Sequence, residues 1–424
     1  MTALLFALLA LLFLIGVPIA VALGMASSLV FLVDGQVSLI VLMQRMFNSV
    51  ASFPLLAIPF FILAGKLMEN GGISRRLIHL ANVMFGRVTG GLAIVSIIAC
   101  AFFAAISGSA AATTAAVGSL LIPAMIKKGY DKSFSTAVQA AGGTIGVMIP
   151  PSVPLVLYGV SAGVSISSLF IAGIIPGILV VVSLLILVYV ISLRKGYGGG
   201  EKFTIMEFFK AFADAILAIL MPVIILGGIY GGIFTPTEAA VVAVFYGLIV
   251  GVFIYKEIKL KDLIEIFSSS VVVSAVIMFI IAGASIFGYY LTRARVPREI
   301  TEVVLGVTDN WIIALLIINV LLLFIGTFLE TSAAIIILTP ILVPIVSALG
   351  IDLVHFGIIM IFNLAIGFIT PPVGLNLFIA ANIAGTKFES LIKAIIPFII
   401  IMILDILIIS FIPSISLFLG GFMK

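Results

Sequence analysis

The apolar stretch 137–163 constrains the fold most, because no continuous α-helix tolerates its centre. Three glycines between residues 142 and 146 precede the adjacent prolines Pro150 and Pro151. Two consecutive prolines remove two backbone donors, and their rings clash with the preceding helical turn. We predict two half-helices that meet at an unwound loop around 149–152. In a membrane such a break is tolerated where the freed backbone groups face protein, an ion or a water-filled cavity.

A second copy of this pattern lies further along the chain. Pro371 and Pro372 follow Pro150 and Pro151 at a fixed offset of 221 residues (371 − 150). The same offset relates Pro123 to Pro344, Gly129 to Gly350, Asp131 to Asp352, Gly146 to Gly367 and Pro176 to Pro397. Chance similarity between apolar segments does not place glycines and prolines in register, so the pattern indicates an internal duplication.

Composition excludes a soluble protein. The 424 residues are 63% hydrophobic and 9% charged, with a mean hydropathy of +1.45, which is typical of membrane proteins. The pI of about 9.1 reflects basic residues in short loops, so we expect no binding to nucleic acid.

The apolar stretch 3–15 lacks a basic region before it and is predicted to be a retained first helix. The only cysteine, Cys100, excludes a disulfide framework and a thiolate metal cluster.

These features predict an all-α polytopic membrane protein built from an inverted repeat. We predict a first repeat at 1–195, a linker with an interfacial helix at 196–213, and a second repeat at 214–424. Each repeat contains scaffold helices, a re-entrant helical hairpin and a broken helix. The hairpin tips are predicted near 107–109 and 326–332, and the broken helices at 137–163 and 358–384. Further interfacial helices are predicted at 36–47 and 260–267.

Charge predicts the orientation of the repeats. If the first hairpin opens from the cytoplasm, most lysines and arginines face the cytoplasm, as in most membrane proteins. Arg293, Arg295 and Arg298 would lie outside, against this trend. An odd number of crossings then separates the repeats, so the two have opposite orientations. Such inverted repeats are typical of alternating-access carriers.

Five motifs carry a resemblance to a known family. They are SGSAAATTAAVGS (107–119), GGTIGVMIPPSVPLVLYG (142–159), GGIFTPTEAA (231–240), FLETSAAIIILTPILVP (328–344) and ITPPVGLNLF (369–378). Together they resemble the large membrane subunit of TRAP (tripartite ATP-independent periplasmic) transporters, over essentially the whole chain. The resemblance implies a sodium-driven elevator carrier in the bacterial inner membrane. It also implies two partners, a separate small four-helix membrane subunit and a periplasmic binding protein that delivers an organic acid such as a C4-dicarboxylate or sialic acid.

The helix breaks provide oxygen ligands that suit sodium. Each break exposes carbonyls at the C-terminus of a half-helix, where the dipole is negative. Sodium is a hard cation that oxygen atoms bind, by extension of the rules for calcium and magnesium. The predicted Na+ ligands are Ser107, Ser109, Gly146 and Ile149 in the first repeat, and Gly326, Thr327, Gly367, Thr370 and Val373 in the second.

An anionic substrate is predicted to lie between the two hairpin tips. The predicted substrate-binding residues are Ser107, Ser109, Ser152, Glu330, Thr331, Ser332 and Asn376. For Glu330 two interpretations stay open, a carboxylate at the start of a half-helix and a contact to substrate or coupling ion. Because no lysine or arginine lies at either tip, the acid must be held by hydroxyls, N–H groups and the bound cations.

Other polar residues have structural interpretations. Glu238 is predicted to start a helix, and Asp214 and Asp405 to be solvated or to cap span ends. His79 and His355 are isolated in the sequence, so we expect no metal site there.

Two other functions remain possible at this stage, a channel lined by the hairpins and a stand-alone dicarboxylate/sodium symporter. An ATP-driven pump is disfavoured because the chain contains no G-x-x-x-x-G-K-[ST] loop. Enzyme chemistry has no support in the sequence. Membrane lipid is the remaining expected partner.

Overall fold

Every regular element in the described part of the chain is a helix. The structure is a computed structural model that describes residues 1–35, 37–199, 204–308 and 310–422. The first ten helices are α1 (Thr2–Leu14), α2 (Ile19–Asp34), α3 (Leu39–Val50), α4 (Ala57–Asn70), α5 (Ile73–Phe85), α6 (Gly91–Ser107), α7 (Ala110–Lys127), α8 (Lys132–Met148), α9 (Val153–Ala162) and α10 (Ile166–Lys195).

The described part of the second half contains ten further α-helices. Its helices are α11 (Ile205–Tyr230), α12 (Pro236–Leu248), α13 (Leu260–Arg293), α14 (Val296–Val307), α15 (Trp311–Gly326), α16 (Thr331–Ala348), α17 (Leu353–Gly367), α18 (Leu375–Ala384), α19 (Ile392–Phe411) and α20 (Pro413–Leu417). Short 3-10 turns occur at Phe53–Leu56, Phe388–Ser390 and Leu419–Phe422, and a π-helical segment, Ile249–Ile254, continues α12.

The helices are long and apolar enough to cross a bilayer many times. Among the described residues, eight helical segments of 18 residues or more have the required hydropathy, counting α4 with the 3-10 turn before it (Phe53–Asn70) and α12 with the π-helical segment after it (Pro236–Ile254), and the bent pair α8 and α9 makes up to nine. At about 1.5 Å per residue, 18 residues reach roughly 27 Å, close to the thickness of a hydrocarbon core. The prediction of an all-α polytopic membrane protein is confirmed.

Residues related by the 221-residue offset have the same structural roles. Asp131 caps α8 by accepting a hydrogen bond from the N–H of Phe134 at 2.8 Å, and Asp352 caps α17 through the N–H of Val354 at 2.8 Å. Gly129 and Gly350, which precede these caps, both have positive φ, at +86° and +70°. The peptide bonds Pro150–Pro151 and Pro371–Pro372 are both cis.

The two halves are packed into each other around the breaks. α9, which follows the first break, packs against α16 of the second hairpin, and α18, which follows the second break, packs against α7 of the first hairpin. The half-helices that precede the breaks, α8 and α17, also contact each other. Outside the hairpins and breaks, α2 packs on α13 and α4 on α12, while the long helices α10 and α19 pack on each other and on α8 and α17.

The predicted interfacial helix at 260–267 is wrong, because α13 runs without interruption from Leu260 to Arg293. In the structure, Ser269 and Ser270 both donate hydrogen bonds to the carbonyl of Ile266, at 3.0 and 2.7 Å. Serine hydroxyls that bond back to the preceding turn are compatible with a continuous helix.

Two further predictions fall partly on undescribed residues. The interfacial helix predicted at 36–47 is α3, Leu39–Val50, while residue 36 lies outside the described ranges. Within the predicted linker at 196–213, residues 200–203 lie outside the described ranges.

The expectation that Asp405 is solvated or caps a span end is wrong. Asp405 lies inside α19, is 3% exposed, and accepts a hydrogen bond from Ser183 of α10. A carboxyl group in the interior of a membrane helix needs such a polar partner, because leaving it unpaired in an apolar environment is costly.

Candidate functional site

The tip of the first hairpin lies directly against the first helix break. Gly108 has φ +58°, and a β-carbon added to it would lie 3.0 Å from the carbonyl oxygen of Pro151 and 3.1 Å from the Cα of Ser152. Both the positive φ and this close backbone approach require glycine. The sequence SGS therefore allows the tip to reach the freed backbone groups of the break.

Hydroxyl and carbonyl oxygens cluster at this tip. Ser107 Oγ lies 2.9 Å from Thr113 Oγ1, and Thr113 Oγ1 donates a hydrogen bond to the carbonyl of Ser109 at 2.8 Å. A β-carbon on Gly146 would lie 2.4 Å from each of the two oxygens, Ser109 O and Thr113 Oγ1. The structure thus brings together three of the predicted residues, Ser107, Ser109 and Gly146. Thr113 completes the cluster and was not predicted. Its position four residues after Ser109 is the sequence signal, because a threonine hydroxyl can bond the carbonyl one helical turn earlier.

The tip of the second hairpin makes the equivalent contact with the second broken helix. A β-carbon on Gly367 would lie 2.2 Å from the carbonyl carbon of Gly326 and 2.3 Å from its oxygen. The neighbouring Thr327 donates its hydroxyl hydrogen to the carbonyl of Phe324 at 2.7 Å. Each glycine that precedes a break, Gly146 or Gly367, therefore touches the backbone of its own hairpin tip.

Glu330 is the N-cap of α16. Its carboxylate accepts hydrogen bonds from the N–H of Ser332 at 2.8 Å, the N–H of Ala333 at 3.3 Å and the hydroxyl of Ser332 at 2.9 Å. The 221-residue offset relates Glu330 to Ser109, which is the N-cap of α7 and accepts from the N–H of Ala112 at 3.4 Å. The structure gives Glu330 its helix-start role, and contact with substrate or ion remains a prediction.

Three side-chain oxygens near the second break can accept a further contact. Thr370 donates its hydroxyl hydrogen to the carbonyl of Ile366 at 2.8 Å, which leaves the lone pairs of Oγ1 available. Asn376 is fully buried and donates from Nδ2 to the carbonyl of Ala140 in the other half, at 3.2 Å. Its Oδ1 atom and the Oγ1 atom of the fully buried Thr331 have no hydrogen-bond partner. Buried polar atoms are nearly always paired, so these two oxygens are candidate ligand contacts.

The remaining predicted residues are Ser152, Ile149 and Val373. The hydroxyl of Ser152, fully buried, donates to the carbonyl of Val147 at 2.8 Å and so satisfies a backbone group freed by the break. The side chain of Ile149 lies against α10, where its Cγ1 is 3.0 Å from the β-carbon position of Gly177. Val373 is 40% exposed.

Buried amides that the sequence analysis did not single out tie the hairpins to the broken helices. Gln139 of α8 accepts a hydrogen bond from Ser96 Oγ of α6 at 2.6 Å, and its Nε2 lies 3.4 Å from the carbonyl of Thr114 in α7. In the second half, Asn363 of α17 donates to Oδ1 of Asn319 in α15 at 2.8 Å. Each broken helix is therefore cross-linked to the hairpin of its own repeat. Long polar side chains within apolar segments are the sequence signal that could have identified them.

The titratable residues do not form a metal centre of the usual kind. Across the described ranges, no three side chains of His, Cys, Asp or Glu come together in a way that could hold a metal ion. His355 is buried, with Nε2 3.3 Å from the carbonyl of Ser410. A cation at the breaks would therefore be held mainly by hydroxyls, carbonyls and amide oxygens, with the carboxylate of Glu330 as the one acidic group at a hairpin tip.

Paired hairpins and broken helices within a bundle of spanning helices define a membrane transporter fold. The YdaH transporter of Alcanivorax borkumensis shares this fold, with a TM-score of 0.67 over 88% of this chain and 87% of that chain, at 16% identity.

A match to a protein-family model shows the family to which the chain belongs. Residues 6–415 match the family model described as "Tripartite ATP-independent periplasmic transporter, DctM component". The chain belongs to this family of TRAP transporter large subunits, and it is a multi-pass protein of the bacterial inner membrane.

Three relatives illustrate the range of the family. The isethionate TRAP transporter permease protein DctMQ of Oleidesulfovibrio alaskensis is 50% identical over 418 residues, which cover 98% of this chain and 66% of that protein. The C4-dicarboxylate TRAP transporter large permease protein DctM of Pseudomonas aeruginosa is 42% identical over 95% of this chain and 94% of its own length. The sialic acid TRAP transporter large permease protein SiaM of Vibrio cholerae is 40% identical over 89% of this chain and 88% of its own length.

Proposed function

We propose that the chain is the large membrane subunit of a sodium-coupled importer of an organic acid, which a periplasmic binding protein delivers. The observation that carries the proposal is the paired contact of hairpin tip and broken helix, Gly146 with Ser109 and Gly367 with Gly326. Each contact places hydroxyls and helix-terminal backbone groups of both elements beside a break. Transporters place substrate and coupling ions at such discontinuous helices.

Sodium suits the groups available at both breaks. In the first repeat, the oxygens of Ser107, Ser109 and Thr113 lie beside Gly146, with the carbonyl of Ile149 next along the chain. In the second, the proposed ligands are oxygens of Gly326, Thr327, Gly367, Thr370 and Val373. These neutral donors match the oxygen preference of a hard monovalent cation. The bound cation would supply positive charge to a site that has no lysine or arginine at either tip.

The packing supports an elevator mechanism. The contacts of α9 with α16 and of α18 with α7 join both hairpins and both broken helices into one unit. We assign the helices paired as α2 on α13 and α4 on α12 to a frame, which contacts the first unit where α13 packs on α16 and α4 on α6. We propose that the first unit carries substrate and sodium across the membrane by moving against this frame.

The substrate class follows from the site and the relatives. Relatives of 40–50% identity are named for isethionate, C4-dicarboxylates and sialic acid, which are all organic anions. Thr331, Ser332 and Asn376 are hydrogen-bonding side chains near the second break that suit an acid group, with Ser107, Ser109 and Ser152 near the first. A small membrane subunit and a periplasmic binding protein complete the proposed complex.

Uptake by reconstituted protein tests the proposal. The chain is inserted into vesicles with its small subunit, the periplasmic binding protein is added, and labelled isethionate, succinate and sialic acid are offered under an inward sodium gradient. We expect uptake of one acid class that requires all three proteins and sodium. Full uptake by the chain alone would favour a stand-alone symporter, and non-saturable flux without sodium would favour a channel.

Membrane potential provides a second test. Two sodium ions with a singly charged acid would move net positive charge inward, and each elementary charge gains about 2.3 kcal/mol per 100 mV. Uptake should therefore increase when the vesicle interior is made negative. Uptake that does not respond to an imposed potential would contradict this stoichiometry.

A further inference from the structure

A polar groove lies between α3 and α13, away from the hairpins and the breaks. Its volume is about 550 Å³. It is lined by Val41, Gln44, Arg45, Asn48 and Ser49 of α3 and by Ser285 of α13. The proposed transport cycle uses none of these residues, so the groove needs a different explanation.

Arg45 is held in this groove by an aromatic ring and not by an acid. Its guanidinium carbon lies 3.7 Å from the centre of the Tyr289 ring of α13. Among the described residues, no carboxylate lies within ion-pair distance of Arg45. Stacking on a ring fixes the plane of the guanidinium and leaves its N–H donors at the edge. These donors match the oxygens of a phosphate group in a two-pronged geometry.

α3 has three faces that suit a position at the membrane surface. Leu42, 2% exposed, marks the face packed on the protein. Gln44, Arg45 and Asn48 mark the polar face, which lines the groove. The third face is apolar and exposed, with Ile40 at 67%, Met43 at 65% and Phe47 at 72%. A helix with an apolar face beside a polar face that carries a positive charge suits the plane of the interface, with its apolar face among acyl chains.

We propose that the groove binds the headgroup of an anionic phospholipid. The phosphate lies on Arg45, the amides of Gln44 and Asn48 donate to the remaining headgroup oxygens, and the acyl chains follow the exposed apolar face of α3. The adjacent apolar face favours a lipid over a free phosphate ion. Arg45 packs on Tyr289 near the Arg293 end of α13, and the predicted orientation places Arg293, Arg295 and Arg298 on the outer side. An anionic lipid would compensate a positive charge that the orientation rule disfavours there.

Lipid titration of the purified full chain tests the proposal. Delipidated protein is titrated with phosphatidylglycerol or with phosphatidylcholine, and bound lipid is counted by native mass spectrometry. We expect preferential binding of phosphatidylglycerol. Arg45→Gln should weaken that binding about fivefold, the factor that corresponds to roughly 1 kcal/mol per basic residue at a membrane surface. Arg45→Lys, which keeps the charge but loses the planar fork, should weaken it less, and Asn48→Leu should also reduce it.

Arg298→Gln is the matched control. Arg298 is an exposed arginine of the same predicted side, but its Nε already bonds Glu302 at 2.8 Å and it lies outside the groove. Phosphatidylglycerol binding should be unchanged in this variant. Size-exclusion profiles establish that each variant is folded, and if Arg45→Gln does not fold, Arg45→Lys and Asn48→Leu decide the question.

Four results would overturn the proposal. They are unchanged phosphatidylglycerol binding in the folded groove variants, an equal loss in Arg298→Gln, and displacement of the lipid by inorganic phosphate at equal concentration. The fourth is complete loss of the site when the small membrane subunit is bound, which would make the groove a protein–protein interface.

Discussion

The backbone of Gly367 touches that of Gly326, so that a β-carbon on Gly367 would lie 2.2 Å from the Gly326 carbonyl carbon. Real β-carbons do not approach backbone atoms this closely. Gly367→Ala should therefore push the second hairpin tip away from the break. We expect a loss of stability of about 1–3 kcal/mol, typical of overpacking, and a strong loss of uptake. Thermal unfolding in detergent and vesicle uptake measure the two effects.

Gly227→Ala is the control for this prediction. Gly227 is also helical, but no atom lies within 4 Å of its β-carbon position, so alanine should be tolerated and should favour the helix slightly. Equal behaviour of Gly367→Ala and Gly227→Ala would show that the contact between Gly326 and Gly367 does not restrict the site.

The hydrogen bond of Gln139 with Ser96 predicts a non-additive pair of mutations. Gln139→Met keeps the volume but leaves Ser96 Oγ and the carbonyl of Thr114 without the amide. An unsatisfied buried group costs about 1–3 kcal/mol. We expect Gln139→Met to lower the free energy of unfolding by that amount. The double variant Gln139→Met, Ser96→Ala should be more stable than the sum of the single effects predicts, because both partners are then apolar.

Additive effects in this double-mutant cycle would mean that the 2.6 Å contact does not contribute to stability. The measurement is a full cycle of four proteins unfolded under the same conditions, with uptake measured in parallel. A loss of uptake without a loss of stability would instead place Gln139 in substrate transport.

Arg76 joins the first half of the chain to the second, away from the breaks. It bonds Asp214 and Glu257, each at 3.3 Å, and its guanidinium carbon lies 3.7 Å from the centre of the Tyr255 ring. Arg76→Gln should destabilise the chain by roughly 1–2 kcal/mol, because charge-assisted hydrogen bonds and a cation–π contact are lost. The adjacent Arg75 is exposed and is the matched control. Equal unfolding temperatures of Arg76→Gln and Arg75→Gln would contradict the prediction.

The sequence predicted the helix breaks because their causes are local. Paired prolines prevent a continuous helix whatever surrounds them, and the 221-residue offset links the two copies without any structure. Boundaries that depend on packing were harder to predict. α13 continues through 268–270 because Ser269 and Ser270 bond back to Ile266, which composition alone does not reveal. α5 was missed because it is amphipathic and short.

The candidate site was predictable where glycine and hydroxyl motifs surround a break, as at Ser107 and Gly146. Its cross-links were not, because they join residues far apart in sequence. Gln139, 43 residues after Ser96, bonds it only because α8 packs on α6, and Thr113 lies beside Gly146 only because α7 packs on α8. Asp405 is a similar case, since its partner Ser183 lies 222 residues away in α10.

Thr370→Val tests the proposed sodium site at the second break. The hydroxyl of Thr370 donates to the carbonyl of Ile366 at 2.8 Å, so its lone pairs remain available to a cation one residue before the proline pair. Valine keeps the β-branched shape and removes this oxygen. We expect a higher sodium concentration for half-maximal uptake, with assembly intact. Thr292→Val is the control, because Thr292 makes the same bond to the carbonyl four residues earlier, Gly288 at 2.8 Å, but lies in α13. It should leave the sodium dependence unchanged, so any loss of the back-bond itself is matched in both variants. The same sodium dependence in Thr370→Val as in the parent protein would remove Thr370 from the ligand set while leaving the backbone carbonyls of the break as candidates.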